Sequence, residues 1–332
     1  MRVKTPAIVN RRTALLAAAC CLPGAAAFAQ EPRFPSRPVR LISPFPVGSG
    51  PDAVARLVAD KLARAWGQPV AVENRPGGNG FIAINAFKRG ATDGHDLIHL
   101  ENVHLTAYPY LFKRLPFDGN RDFELIAPLF KTYFFITTSA NSKYRDVADL
   151  VADAKANPGG LSYGSWSVGN PAHLGSALFE TMTGTEMQHV VYKETSQLYS
   201  GVANGELTFA LGTSATAGAL YRAGKLKFLA IAAPRRLAAY KDVPTVAEAG
   251  GPAGFEVSGW TAFAAPRGVS PAVLEKIRRD VAKALSEQDV RDKLAALGYE
   301  PFSATPSEFA RHISAESSRF AEVIKKVGAH LD

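Results

Sequence analysis

From Pro38 onward the chain alternates short apolar runs with amphipathic helical stretches, and that alternation restricts it to α/β layering. Val39-Arg40-Leu41-Ile42 reads as a strand. After a Pro/Gly/Ser turn, residues 52–66 read as a helix with Val54, Leu57, Val58, Leu62 and Ala65 on one face, ended by Gly67. Residues 69–73 give the next strand, 74–80 a Gly-rich loop and 97–100 a third apolar strand. A middle region starts near Tyr133, with a strand over 134–138. Val147, Leu150, Val151 and Ala154 then form a helical stripe stopped by Asn157-Pro158-Gly159. Residues 161–163 lead through a polar loop into a helix over 171–182, and 208–211 and 227–232 supply further strands. Two long helices close the chain. Ser270-Pro271 places a capping serine before a proline at the first helical position. Thr305-Pro306-Ser307-Glu308 opens the last helix with a capping box.

The N-terminus addresses the compartment. Arg2, Lys4, Arg11 and Arg12 precede an apolar stretch over 14–22, followed by Ala27-Phe28-Ala29. That order predicts an export signal over 1–29, cleaved after Ala29. The stretch is shorter than the roughly 20 apolar residues a spanning helix needs. Arg11-Arg12 leaves twin-arginine export open beside the general route. Both cysteines, Cys20 and Cys21, fall inside this segment, so the mature chain has no disulfide, thiol nucleophile or thiolate metal ligand. The formal charge of +8 includes those four basic residues, which leaves about +4 dispersed among acids and argues against nucleic acid as a partner.

Two loops share one design. Phe45-Pro46-Val47-Gly48-Ser49-Gly50-Pro51-Asp52 and Gly164-Ser165-Trp166-Ser167-Val168-Gly169-Asn170-Pro171 each run from a strand into a helix. Small residues let backbone N–H groups approach a ligand, and a helix N-terminus attracts an anion without a basic side chain. Each loop can also be read as a plain connection capped by Asp52 or Asn170. Two of them in one exported chain point to a cleft that clamps a carboxylate. A rival is the G-x-G-x-x-A spacing of Gly48 to Ala53 with Glu73 beyond it, a dinucleotide fingerprint that Pro51 and export both disfavour. Ser165 and Ser167 miss the G-x-S-x-G spacing of a hydrolase elbow. The histidines (His95, His99, His104, His173, His189, His312, His330) make no H-E-x-x-H pattern, and His99, His104 and Glu101 are poorly spaced for a metal. No residue pattern asks for an enzyme, a metal or a cofactor.

Over nearly its whole mature length the chain resembles the receptors of tripartite tricarboxylate transporters, the Bug-type solute-binding proteins. The resemblance rests on ordered blocks: Phe34 to Arg40; Pro44-Phe45 through Gly48 to Asp52; Gly67-Gln68-Pro69-Val70 with Val72 to Gly77; Asp93-Gly94-His95; and Leu115-Pro116-Phe117-Asp118. Val191-Tyr192-Lys193, Asp242 to Gly250, and Phe255-Glu256-Val257 followed by Trp260 continue the series. The family implies a two-domain periplasmic-binding-protein fold of the Venus-flytrap type, with ligand enclosed between the domains. Carried onto this sequence, residues 31–133 plus 251–332 form one α/β domain and 134–250 the other. The resemblance implies a monomeric receptor that delivers a small carboxylate to membrane subunits of its transporter, or reports it to a sensor kinase.

In the family the carboxylate is held by backbone amides and hydroxyls, often through water. Val47, Gly48, Ser49, Gly50 and Asp52 would shape one wall, with Asp52 assigned to loop geometry because it would repel an anion. Ser165, Trp166, Ser167, Gly169, Asn170 and His173 would shape the other. The family's small Gly-Thr-Ser turn after the third strand aligns with Leu100-Glu101-Asn102. Gly48-Ser49 stands where two glycines are common, and Thr208 and Gly212 stand where acids are usual. A glutamate in the cleft opposes a plain dicarboxylate, so Glu101 is expected to face an amine, amide or hydroxyl, or else solvent or a lysine. Trp166 either stacks on a planar ligand or packs against the opposite domain and seals the cleft.

Overall fold

The computed structural model describes residues 1–3, 34–192 and 194–331. The expected export signal therefore lies outside the described residues, save its first three. The chain enters at β1 (Val39–Ser43), whose apolar residues are buried, and continues into α1 (Gly50–Trp66). Ser49 is the N-cap of α1, its Oγ accepting the Asp52 N–H, so the cap is Ser49 and not Asp52. Gly67 closes the helix in the left-handed conformation at φ 65°. Val54, Val58 and Leu62 face the core as expected, whereas Ala65 is exposed.

β2 (Val70–Asn74), α2 (Phe81–Lys88), β3 (Asp96–Glu101), α3 (Asn102–Thr106), α4 (Tyr108–Leu111) and the long β4 (Phe123–Tyr133) follow. Leu100-Glu101-Asn102 is not a turn: β3 passes directly into α3. After β4 the chain moves into a second sheet. It runs β5 (Phe135–Ser139), α5 (Val147–Ala156), β6 (Ser162–Ser165), α6 (Pro171–Thr183), β7 (Gln188–Val191), α7 (Thr195–Asn204), β8 (Phe209–Gly212), α8 (Ser214–Arg222) and β9 (Leu226–Ile231). β10 (Ser258–Pro266) returns to the first sheet, followed by α9 (Pro271–Ser286), α10 (Gln288–Ala296), β11 (Glu300–Pro301) and α11 (Pro306–Val327).

The first sheet has the order β11-β4-β10-β3-β1-β2 and the second β7-β6-β8-β5-β9. β1 pairs parallel with both β2 and β3, while β10 runs antiparallel between β3 and β4. In the second sheet β6 pairs parallel with β7 and β8, and β5 is antiparallel to β8 and β9. Each sheet is buried on both faces. One face of the first is covered by α1 and α9, the other by α2. The second carries α5 and α6 on one face and α7 and α8 on the other. The two sheets therefore carry separate buried cores.

The two strands that link the sheets lie side by side. Ser258 is paired with Tyr133, the Phe134 N–H donates to the Val257 carbonyl at 3.2 Å, and the Ala232 N–H to the Phe134 carbonyl at 2.8 Å. α11 provides a third tie away from these strands. Its Phe320, Val323 and Ile324 join Val103, Tyr108 and Leu111 of α3 and α4 with Leu174 and Ala177 of α6 in one buried cluster. Among the described residues no helix is long and apolar enough to cross a membrane.

Candidate ligand site

β1, β3 and β6 all end at one cavity of about 310 Å³ between the two sheets. Open α/β sheets bind ligands outside the carboxyl ends of their strands, where neighbouring connections diverge. The start of the β1–α1 loop supplies Pro44 and Phe45; β3 and α3 supply Glu101, Val103 and His104; α4 supplies Tyr108. The opposite wall is the β6–α6 loop from Trp166 to Pro171. The turn at Gly77, Asn79 and Gly80 and the C-terminal Leu331 close the ends.

The β6–α6 loop is built to leave donors free. Asn170 caps α6, its Oδ1 accepting the His173 N–H at 2.9 Å and its Nδ2 donating to the Ser167 carbonyl at 2.6 Å. Pro171 at the first helical position has no N–H to satisfy. The Gly169 N–H is spent on His173 Nδ1 at 3.0 Å. The Ser167, Val168 and Asn170 N–H groups have no acceptor among the described residues. With the positive end of a 13-residue helix behind them, these amides favour an anion. Gly169 sits at φ 80° with Leu111 against its α-carbon, where a Cβ would come within 2.6 Å of Leu111 Cδ1, so the loop is clasped by the other domain.

The β1–α1 loop has the opposite character. Its Gly48 N–H donates to Asp52 Oδ2 at 2.8 Å and its Ser49 N–H to the Pro46 carbonyl at 3.2 Å, so two of its amides are consumed internally. Asp52 also accepts from Arg56 Nε at 3.0 Å and Asn74 Nδ2 at 2.7 Å. Burial alone would raise its pKa; the donors from Arg56, Asn74 and Gly48 outweigh that and hold the carboxyl below its ordinary value. Val47 is 72% exposed at the loop tip, and the Tyr299 hydroxyl lies where a Gly50 side chain would be. None of Val47, Gly48, Ser49, Gly50 and Asp52 borders the cavity; Pro44 and Phe45 do so in their place. The same contacts weaken the dinucleotide reading, since Glu73 is tied to Arg40 and Arg75.

The remaining expected residues divide. Glu101, Trp166, Ser167, Gly169 and Asn170 border the cavity. Asn102 does not: its Nδ2 donates to Glu316 Oε1 at 2.9 Å, within a buried network that includes Trp260 Nε1 at 2.6 Å from Glu316 Oε2. Ser165 and His173 lie behind the loop. Ser165 Oγ donates to the Ser167 carbonyl at 2.9 Å, so its 2.7 Å contact with His189 Nε2 makes the imidazole the donor, the reverse of an activated nucleophile. His173 stacks on His189 at 4.0 Å, and burial pushes both imidazoles down to about 4, so they are neutral. Trp166 packs parallel to Phe134 of its own domain at 6.4 Å, not across the cleft, and turns its remaining surface to the cavity.

Sequence reasoning did not single out Asn79, Gly80, Tyr108 or Leu331 as site residues, and it offered His104 only as a neighbour of Glu101. A local signal existed for the first two: Gly77-Gly78-Asn79-Gly80 all have positive φ, from 54° to 99°, a run that only glycine with asparagine tolerates. His104 Nε2 donates to the Asn79 carbonyl at 3.1 Å, and its Nδ1 accepts the Glu101 N–H at 3.1 Å, which fixes the neutral tautomer. Burial pushes this imidazole down to about 4. Among the described residues no group of acids, histidines and cysteines could hold a metal.

Fold and cavity define a two-domain solute-binding receptor. A family profile described as "Tripartite tricarboxylate transporter family receptor" matches residues 54–329, and the chain belongs to that family. A structure described as that of a periplasmic transporter is 32% identical with a TM-score of 0.74, covering 90% of this chain and all of its own. Protein BugT of Bordetella pertussis is 31% identical over 309 residues, covering 93% of this chain and 94% of its own. The structure of Rpa4515 of R. palustris with adipate is 30% identical with a TM-score of 0.76, covering 90% of this chain and all of its own. MatC of Rhodopseudomonas palustris with bound malate is 28% identical with a TM-score of 0.72, covering 88% of this chain and all of its own.

Proposed function

We propose that this receptor encloses a small carboxylate-bearing solute between its domains in the periplasm and delivers it to the membrane subunits of a tripartite tricarboxylate transporter. The observation that carries this reading is the β6–α6 loop at the N-terminus of α6, where Ser167, Val168 and Asn170 border the cavity and their amides have no acceptor among the described residues. Closure takes the carboxylate out of water, and charge-assisted bonds from oriented amides replace its hydration. The moving bodies are 31–133 with 251–332 and 134–250, and they turn about the paired strands at 133–135 and 256–258. Adipate and malate in the two related structures support a carboxylate as the solute class.

The test is a thermal-shift screen of purified receptor, stripped of carried-over solute by unfolding and refolding, against aliphatic carboxylates, aromatic carboxylates, amino acids and nicotinamide dinucleotides. A dose-dependent rise in Tm confined to carboxylates is the expected result, because ligand that binds only the native state stabilises it by mass action. Stabilisation by the dinucleotide alone would sink the receptor reading.

A further inference from the structure

The cavity has a second pole, opposite in character to the amide loop. Glu101 stands at the end of β3 with its side chain on the cavity, and Phe45, Tyr108 and Trp166 border the same space. Among the described residues no lysine or arginine lines it. We propose that Glu101 and these three rings form a cation-binding pole, so that the solute is a carboxylate carrying an ammonium group rather than a dicarboxylate. The inference rests on the carboxylate-receptor reading above and assigns the other end of the ligand.

Among the described residues that border the cavity, no cationic side chain answers the charge of Glu101. His104 on α3 is a neutral neighbour: its ring accepts the Glu101 N–H and donates to the Asn79 carbonyl, and its backbone N–H faces the Glu101 side chain in a reciprocal capping box, which supplies a donor but no positive charge. Tyr108 on α4 is phenolic, its acidity suppressed by burial and by Glu101 itself. Thr261 stands opposite on β10. Burial pushes the Glu101 carboxyl up to about 7, so the empty receptor holds both forms at neutral pH. A second carboxylate on the ligand would meet repulsion from the ionised form and find one hydrogen bond at best from the protonated one. An ammonium would instead trap the ionised form and gain from the negative faces of the surrounding rings.

The two cases have opposite proton linkage. An ammonium ligand binds ionised Glu101, so its affinity rises as pH increases through 7 while its own amine stays charged. A dicarboxylate needs the protonated form, so its affinity falls over the same interval. Calorimetric titrations at pH 6, 7 and 8 would compare 4-aminobutanoate, succinate and butanoate, which share a skeleton, and likewise 6-aminohexanoate, adipate and hexanoate. The expected result is an amino acid bound at least about tenfold more tightly than its matched dicarboxylate at pH 8. Glu101→Gln should bring it down to the level of the monocarboxylate and abolish the pH slope. If a dicarboxylate binds more tightly in the wild type and affinity falls with pH, the ammonium pole is wrong while the carboxylate receptor stands. If none of the six binds, both readings fall. The wild-type pH series decides the matter even if the variant does not fold.

Discussion

Asp52 is buried and ionised because its neighbours in sequence fold back to serve it. Gly48, Arg56 and Asn74 place three donors on one carboxylate, and each bond lies within the short stretch around β1, α1 and β2. Asp52→Ala is expected to cost about 2–3 kcal/mol in urea unfolding at pH 7, the range for hydrogen bonds to a charged group. The folded carboxyl titrates below its ordinary value, so its stabilisation is present above about pH 4 and is lost as pH falls through the lower folded pKa. The penalty of the variant should therefore shrink in acid, and a penalty unchanged at pH 3 would contradict this account. A residue like Asp52 is legible in sequence because its partners are local, and its assignment to loop geometry followed from charge alone. Asn102 was not legible. Its partner Glu316 lies 214 positions away, and no pattern near position 102 announces it.

At the scale of elements, capping chemistry was the most readable layer. Ser270 accepts the Val273 N–H, and Thr305 with Glu308 forms the reciprocal box that opens α11. β4 and β10 were missed, for different reasons. β4 carries Pro128, which a central strand rejects; the structure accommodates it opposite Ala262, where the β4–β10 register shifts as at a bulge. β10 is Gly- and Ala-rich at its ends and middle, so its sequence has neither the alternation nor the β-branched density of a strand. The turn over 77–80 joins local conformation to the cavity. Gly80 combines φ 82° with an α-carbon pressed against His104 Nε2, whereas Gly78, at φ 54°, has its nearest neighbour, Ile82, at 3.4 Å. Gly78→Ala should cost about 1–2 kcal/mol, the price of one left-handed residue. Gly80→Ala should cost more and weaken ligand binding as well, because displacing His104 breaks its bond to Asn79 and moves the cavity wall. Equal losses of Tm with unchanged affinity would show that the turn does not shape the site.

The whole molecule balances two adjoining strands against one buried cluster. In the proposed closure the strands at 133–135 and 256–258 would keep their hydrogen bonds, because they adjoin one another. The α3, α4, α6 and α11 cluster would not survive the reverse, opening rotation, since Leu174 and Ala177 would leave Leu111, Phe320 and Ile324. Leu174 is therefore predicted to stabilise the closed arrangement rather than either domain alone. Removing its side chain from a packed site is worth about 2–4 kcal/mol where the cavity persists. If that contact exists only on closure, Leu174→Ala shifts the population toward open, and apparent affinity falls by the fraction of closed protein lost. The expected outcome is an apparent Kd raised at least about tenfold and a larger radius of gyration without ligand, with only a small change in Tm. A Tm that falls in full while Kd and radius stay fixed would place Leu174 in the core of its own domain and return the closing force to the ligand.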